Sequence, residues 1–347
     1  MDSKSFLKGM ALAIVSFSVL MSSCTGKVNR AKQIEDSIRN RQIDSAVVAR
    51  IYKPAKPVWA MIDSLEKAKA VSTQRIAYYR ALAYYREGNR KESEKYFVKA
   101  LNGRALLAEN RELFYRAADL LSSSMINRHE NKKALAVLTL GFEAAKVDQT
   151  VVGRRWVALL LNGMGYCEMQ LGHINEAERY FSQAYIGLKQ LVDVDSQYGN
   201  IQDYVRVSNN ILDAYTSTGS YKKAAAWLES AKEAVDLLIA SPQCSAADRQ
   251  SALGGLYLQQ AIVLIHSGKR DQADAAYAQA VRLGYSKTGG GIVECALYLK
   301  EAERWEELER LLPQADSVYT SWGDPEAARQ LRLRDSKTFH PIDVKTY

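Results

Sequence analysis

The chain has 347 residues, 47% of them hydrophobic and 25% charged, with only 6 prolines. That balance is an ordinary globular one and excludes a disordered chain. A formal charge of +8 would suit a nucleic-acid binder in a cytosolic protein, so the partner class turns on what the first residues say about export.

Residues 1–23 differ from the rest. Lys4 and Lys8 precede an apolar run over residues 10–21, too short for a bilayer, which needs about 20 residues. A basic start with a short apolar core reads as an export signal. It ends in Leu20-Met21-Ser22-Ser23-Cys24. This resembles a bacterial lipoprotein signal, with Met21 where that box usually holds Leu. The resemblance implies cleavage before Cys24 and lipidation of that cysteine. Thr25, not Asp, follows it, which by the same resemblance implies the outer membrane, with the protein facing the periplasm. Each buried methylene adds ~0.8 kcal/mol, so two or more acyl chains anchor a protein stably. A cleaved soluble signal with an incidental cysteine is the alternative. Either form of export removes nucleic acid as a partner. Residues 24–35 read as a tether.

Residues 34–51 form a charged helix that Pro54 and Pro57 break. Residues 58–70 are apolar-periodic, with Trp59, Ile62 and Leu65 on one side, as in the second helix of a degenerate first repeat that caps the open end. One spacing then recurs: Gly, a small residue five on, a large one four further, Ala three further. It holds for Gly88–Ser93–Phe97–Ala100, Gly172–Ala177–Phe181–Ala184, Gly219–Ala224–Leu228–Ala231 and Gly268–Ala273–Tyr277–Ala280. Steps of four and three return to one helix face. Small side chains there let a neighbouring axis approach to about 8–10 Å. The Gly sits where a preceding helix stops in the left-handed conformation. Asn89 with Glu92, and Asn175 with Glu178, have the capping-box spacing. Apolar helices lie upstream, over residues 159–167, 205–215 and 256–265. Each unit is helix, tight turn, helix.

The pattern resembles the tetratricopeptide repeat. Gly165 matches the first-helix Gly, Tyr84 and Tyr215 the first-helix Tyr, and Ala177, Phe181 and Ala184 the second-helix positions; the terminal Pro is missing throughout. Two weaker units place Ala134, Leu138 and Gly141, and Leu308, Leu312 and Ala315, in the second-helix slots, behind first helices near residues 111–124 and 292–301. The small positions lie 41, 43, 47, 49 and 35 residues apart, against the family's 34. Because residues 180–192 and 224–240 stay periodic, longer helices account for the excess. Pro313 bends the last second helix. Asp324-Pro325 starts a short helix over residues 326–334, and residues 339–347 read as extended. The fold class is all-α: a right-handed superhelical solenoid of about six such hairpins over residues 36–335, capped at both ends, with a tail at 336–347.

No catalytic constellation appears, and no cofactor or metal signature. His129, His173, His266 and His340 are scattered, with His129 and His173 in turns. Gly289-Gly290-Gly291 lacks the Lys-Ser/Thr ending of a phosphate loop and reads as a flexible loop. Cys167 reads as core packing; Cys244 and Cys295 could pair in an oxidising compartment. Lys132-Lys133, Arg154-Arg155 and Lys222-Lys223 read as solvated faces.

What remains is a binding surface. The repeat resemblance implies a concave groove lined by first-helix side chains, here Tyr78, Tyr85, Arg116, Asp119, Asn162, Tyr166, Arg206, Asn209 and Asp213. Tyr and Arg are residue types that anchor interfaces. The reading is a lipid-anchored periplasmic scaffold that binds a protein or peptide in this groove without catalysis. The alternative is a sensory input module, because residues 36–334 also resemble the periplasmic half of repeat-containing histidine kinases of Gram-negative gut bacteria. In those proteins a membrane helix and a kinase follow the array, and neither follows it here before Tyr347. That alternative implies a stand-alone relative or a truncated form.

Overall fold

The computed structural model describes residues 30–52, 57–322 and 325–333. The export signal, Cys24, most of the tether, Pro54, Asp324, His340 and the tail at 336–347 lie outside them. Among the described residues the protein is all-helical, with sixteen α-helices, one 3-10 turn and no strand. None of these helices is long and apolar enough to cross a membrane. The chain divides into two compact units at Leu121/Ser122.

Unit 1 holds α1 (Arg30–Tyr52), α2 (Pro57–Lys67), α3 (Thr73–Arg86), α4 (Arg90–Leu101), the five-residue α5 (Ala105–Glu109) and the first part of α6 (Arg111–Ile126). Ser72 caps α3 by accepting from the Arg75 amide, and Asn89 caps α4 by accepting from Glu92, as its spacing predicts. α3 packs on α4 as a hairpin and also meets α1, α2 and α5. In the hairpin, Ser93 fills the small slot and its hydroxyl donates to the Ala81 carbonyl at 2.9 Å. A charged cluster ties three helices together. Buried Arg75 donates to Asp44 (3.1 Å), to the Tyr79 hydroxyl (3.0 Å) and to the Asn40 carbonyl (2.8 Å). The second oxygen of Asp44 accepts from Asn110 at 2.8 Å.

Unit 2 continues with α7 (Asn131–Ala145), α8 (Val151–Gln170), α9 (Ile174–Val194), α10 (Tyr198–Ser217), α11 (Tyr221–Ala240), α12 (Ala246–His266), α13 (Arg270–Arg282), α14 (Gly289–Glu301), α15 (Trp305–Trp322) and α16 (Pro325–Arg332). Neighbours pack in pairs: α8 on α9, α10 on α11, α12 on α13, α14 on α15. The first helices also touch one another across pairs, α8 with α10, α10 with α12, α12 with α14. α8 to α12 are each 20 or 21 residues long against 13 for α13, so the wide repeat spacing comes from longer helices.

The spaced small residues are the packing contacts. Ala134, Ala177, Ala184, Ala224, Ala231, Ala273 and Ala280 are all wholly buried, with Phe181 between two of them. α8 carries two further notches. A Cβ on Gly165 would stand 2.6 Å from the Phe181 ring of α9, and one on Gly163 would stand 2.9 Å from Leu138 of α7. Bare backbone at these points is what lets three helices close together.

Six intra-hairpin turns share one backbone. Gly88, His129, Gly172, Gly219, Gly268 and Glu303 all have positive φ, between 58° and 85°. At each, that residue's amide bonds three residues back and the next amide five back, as Gly172 to Met169 and His173 to Glu168. This is the Schellman closure. Each lies five residues before the small position of its unit.

Some expectations change. α9 begins at Ile174 with His173 as its cap residue and no side-chain cap bond, so Asn175 is not the N-cap. The triple glycine is not a loop but the first turn of α14, capped by Thr288; Gly291 is needed there because a Cβ would meet the Tyr285 carbonyl at 2.0 Å. Pro313 lies within α15 without ending it. Cys244 and Cys295 are free thiols.

Candidate functional site

The predicted groove residues fall in both units. In unit 2 they gather on a polar seam along α8, α10 and α12. Arg155, Asn162 and Tyr166 recur at helical spacing on α8; Asp203, Arg206, Asn210 and Asp213 do so on α10, with Asn209 beside them. The seam is cross-linked. Arg155 of α8 pairs with the fully buried Asp203 of α10, whose other oxygen accepts from Arg206 at 3.1 Å. Gln259 of α12 donates to Asp213, and Gln170 of α8 to Ser217 of α10 at 3.1 Å. The Arg155 guanidinium is therefore structural and not part of a solvated face.

Part of the seam lacks partners. The side-chain carbonyls of Asn162, Asn209, Asn210 and Gln259 are buried and accept no hydrogen bond. A buried unmet polar atom costs about 1–3 kcal/mol, so four on neighbouring helices set this seam apart from a closed polar network. Tyr166 is wholly buried within it. Burial, and then the nearby Asp213 carboxylate, push its phenol well above the usual range. Tyr166 therefore forms the floor and not an open wall.

Searches against known protein families and curated proteins find no match. The site must be read from its own chemistry.

In unit 1, Tyr78 is also wholly buried, its ring edge-on to Phe97 and Tyr79 with both centroids 6.1 Å away. It belongs to the core of the α3–α4 hairpin and not to an exposed groove. Tyr85 is half-buried beneath the Arg90 guanidinium, 3.9 Å from its ring centre. Arg116 is half-buried and donates to the Tyr52 hydroxyl at 3.4 Å. Burial alone would lower its pKa, but the Tyr78 and Tyr52 phenols and the Glu112 and Asp119 carboxylates raise it overall. Asp119 is half-buried on the same helix.

Among the described residues no group of three His, Cys, Asp or Glu could hold a metal ion. His173 meets Glu168 at 2.6 Å across its own turn, and His266 stacks on Tyr221 at 3.6 Å and meets Glu301 at 2.9 Å, joining α12 to α11 and α14. A pocket of ≈ 360 Å³ in unit 2, lined by Cys244, Arg249, Gln250 and Leu253 among others, carries no unmet buried polar group of this kind.

Sequence reasoning missed Arg155, Asp203, Asn210 and Gln259. A signal existed for two of them: Asp203 and Asn210 extend the polar stripe that Arg206 and Asp213 set on α10. Gln259 is the buried one of the pair Gln259-Gln260 in α12, and only its pairing with Asp213 gives it meaning.

Proposed function

We propose that the chain is a tetratricopeptide-like repeat protein, lipid-anchored through Cys24 on the periplasmic side of the outer membrane, that binds a protein or peptide partner along the α8–α10–α12 seam and performs no catalysis. The first-helix contacts, five left-handed turns and the buried small residues support stacked repeats in unit 2. One observation carries the binding reading: four unmet amide oxygens on adjacent helices. An amide side chain offers an acceptor and donors together, which suits the N–H and C=O groups of an extended peptide backbone. Arg206 and Asp213 add charge on the same stripe.

The experiment is affinity capture from membrane extract with the wild-type chain and with Asn162→Ala/Asn209→Ala, both verified as folded by circular dichroism. A partner retained by wild type and lost with the double variant is the expected result. An identical set of bound proteins on both would remove the seam from binding.

A further inference from the structure

We propose that the partner on the α8–α10–α12 seam presents a cationic nitrogen donor, a lysine ammonium or an arginine guanidinium, to the acceptor oxygens around Asp213. The inference rests on the binding reading of the seam and adds the charge of its ligand. Two cross-links set the register of α8 against α10. Arg155 meets Asp203, 48 positions on, and Gln170 meets Ser217, 47 positions on. The two helices therefore run side by side in one direction. Asn162 stands seven residues past Arg155; Asn210 stands seven past Asp203 and seven before Ser217. Seven residues are about two helical turns, so Asn162 and Asn210 lie opposite one another on the mated faces. The same register sets Tyr166 opposite Asp213, and after burial itself the Asp213 carboxylate acts most on the Tyr166 phenol. From the other side, Gln259 of α12 donates to Asp213.

What the three helices bring together at this level is oxygen. The side-chain carbonyls of Asn162, Asn210 and Gln259 accept no hydrogen bond, and the three residues are 5%, 3% and 2% exposed. Half-buried Asn209, on the same turn of α10, has a fourth such oxygen. Asp213 adds a carboxylate. Its bond from Gln259 comes from a neutral amide, which leaves the charge in place. Acceptors in this number call for donors, and an acidic ligand would bring only more acceptors. An ammonium carries three donors, a guanidinium five, and neither has an acceptor. Bonds from charged donors are also about twice as strong as neutral ones. The arginines of the seam are directed elsewhere. Arg155 bonds Asp203, and Arg206 reaches three residues back to Asp203, away from Asn210 and Asp213. One end of the seam thus sets two cations on one anion. The other sets an anion beside neutral amides with unused oxygens.

The test is calorimetric titration of the whole chain, at constant ionic strength, with blocked pentapeptides that differ only in a central lysine, arginine, norleucine or glutamate. The lysyl or arginyl peptide should bind at least about tenfold more tightly than the norleucyl one, with the glutamyl peptide weakest. The tighter of the two cations identifies the side chain. Asp213→Asn keeps an acceptor for Gln259 and removes the charge, and it should erase the preference. Asn162→Leu should weaken the cationic peptide several-fold and leave the norleucyl peptide and the ligand-free melting temperature unchanged or raised, a pattern that a purely structural asparagine would not give. A preference for the cation that survives both substitutions overturns the site. Equal affinity for all four peptides overturns the cationic ligand and leaves a seam that reads peptide backbone. Binding of none also overturns it, and capture from membrane extract then judges the seam separately.

Discussion

Two buried polar clusters differ in completeness. Around Arg75, almost every hydrogen-bonding atom has a partner inside the protein: Asp44, Tyr79, the Asn40 carbonyl and Asn110 close the set, and Nη1 faces Glu109 at 3.7 Å. Along the seam of unit 2, Arg155, Asp203, Arg206, Asp213 and Gln259 are joined, yet the carbonyls of four amides are not met. The central charge of each cluster, Arg75 in one and Asp203 in the other, is wholly buried, so the contrast is not one of exposure. A closed cluster fixes helices in place. An open one keeps bonding capacity in reserve, and that reserve is what supports the proposed binding role.

The sharpest way to break the contrast is Arg75→Ala. It strands the Asp44 carboxylate and should cost about 3–5 kcal/mol, read as a lower urea midpoint with an unchanged slope. A loss under 1 kcal/mol would mean that the cluster in unit 1 is no more committed than the seam. Asn210→Leu tests the other side. Asn210 is 3% exposed and its carbonyl has no partner, so an apolar residue of similar size should leave stability unchanged or raise it by about 1 kcal/mol. A clear loss would show that the amide is already satisfied in the free protein. The smallest effect calibrates both. Glu303→Gly, at an exposed turn with φ 58°, should raise stability by about 0.5 kcal/mol, because left-handed backbone costs a non-glycine residue about 1–2 kcal/mol and glycine's chain entropy takes back part of the gain. Thermal unfolding measures it, and a decrease would count against the shared-turn account.

The turns also show what a sequence discloses. Glycine announces four of the six, and the five-residue offset before Ala134 and Leu308 points equally to His129 and Glu303. Reading glycine as the signal hides them; the offset is the better one, because the Schellman bonds impose the conformation. The small-residue stripes were legible because helix periodicity is local. Tyr78 and Tyr166 were legible only as first-helix tyrosines; that neighbours bury them completely is a tertiary fact. So is the seat of Gly291 against the Tyr285 carbonyl, which turns an apparent loop into a helix start. Asp44 and Arg75 stand 31 positions apart, and no local pattern joins them. The seam was half legible: Asn162, Arg206, Asn209 and Asp213 came from the repeat resemblance, but the partners that orient them came from the packing.

The two notches of α8 limit where this region can be cut. Gly163 and Gly165 are two residues apart, so they face opposite sides of the helix, one receiving Leu138 of α7 and the other Phe181 of α9. A fragment beginning at α8 leaves the first notch bare to water; one ending there leaves the second. Each glycine is already about 1 kcal/mol worse than alanine in a helix, so a lone α8 would fray at its middle. The shortest excised piece that keeps both notches filled is α7, α8 and α9 together.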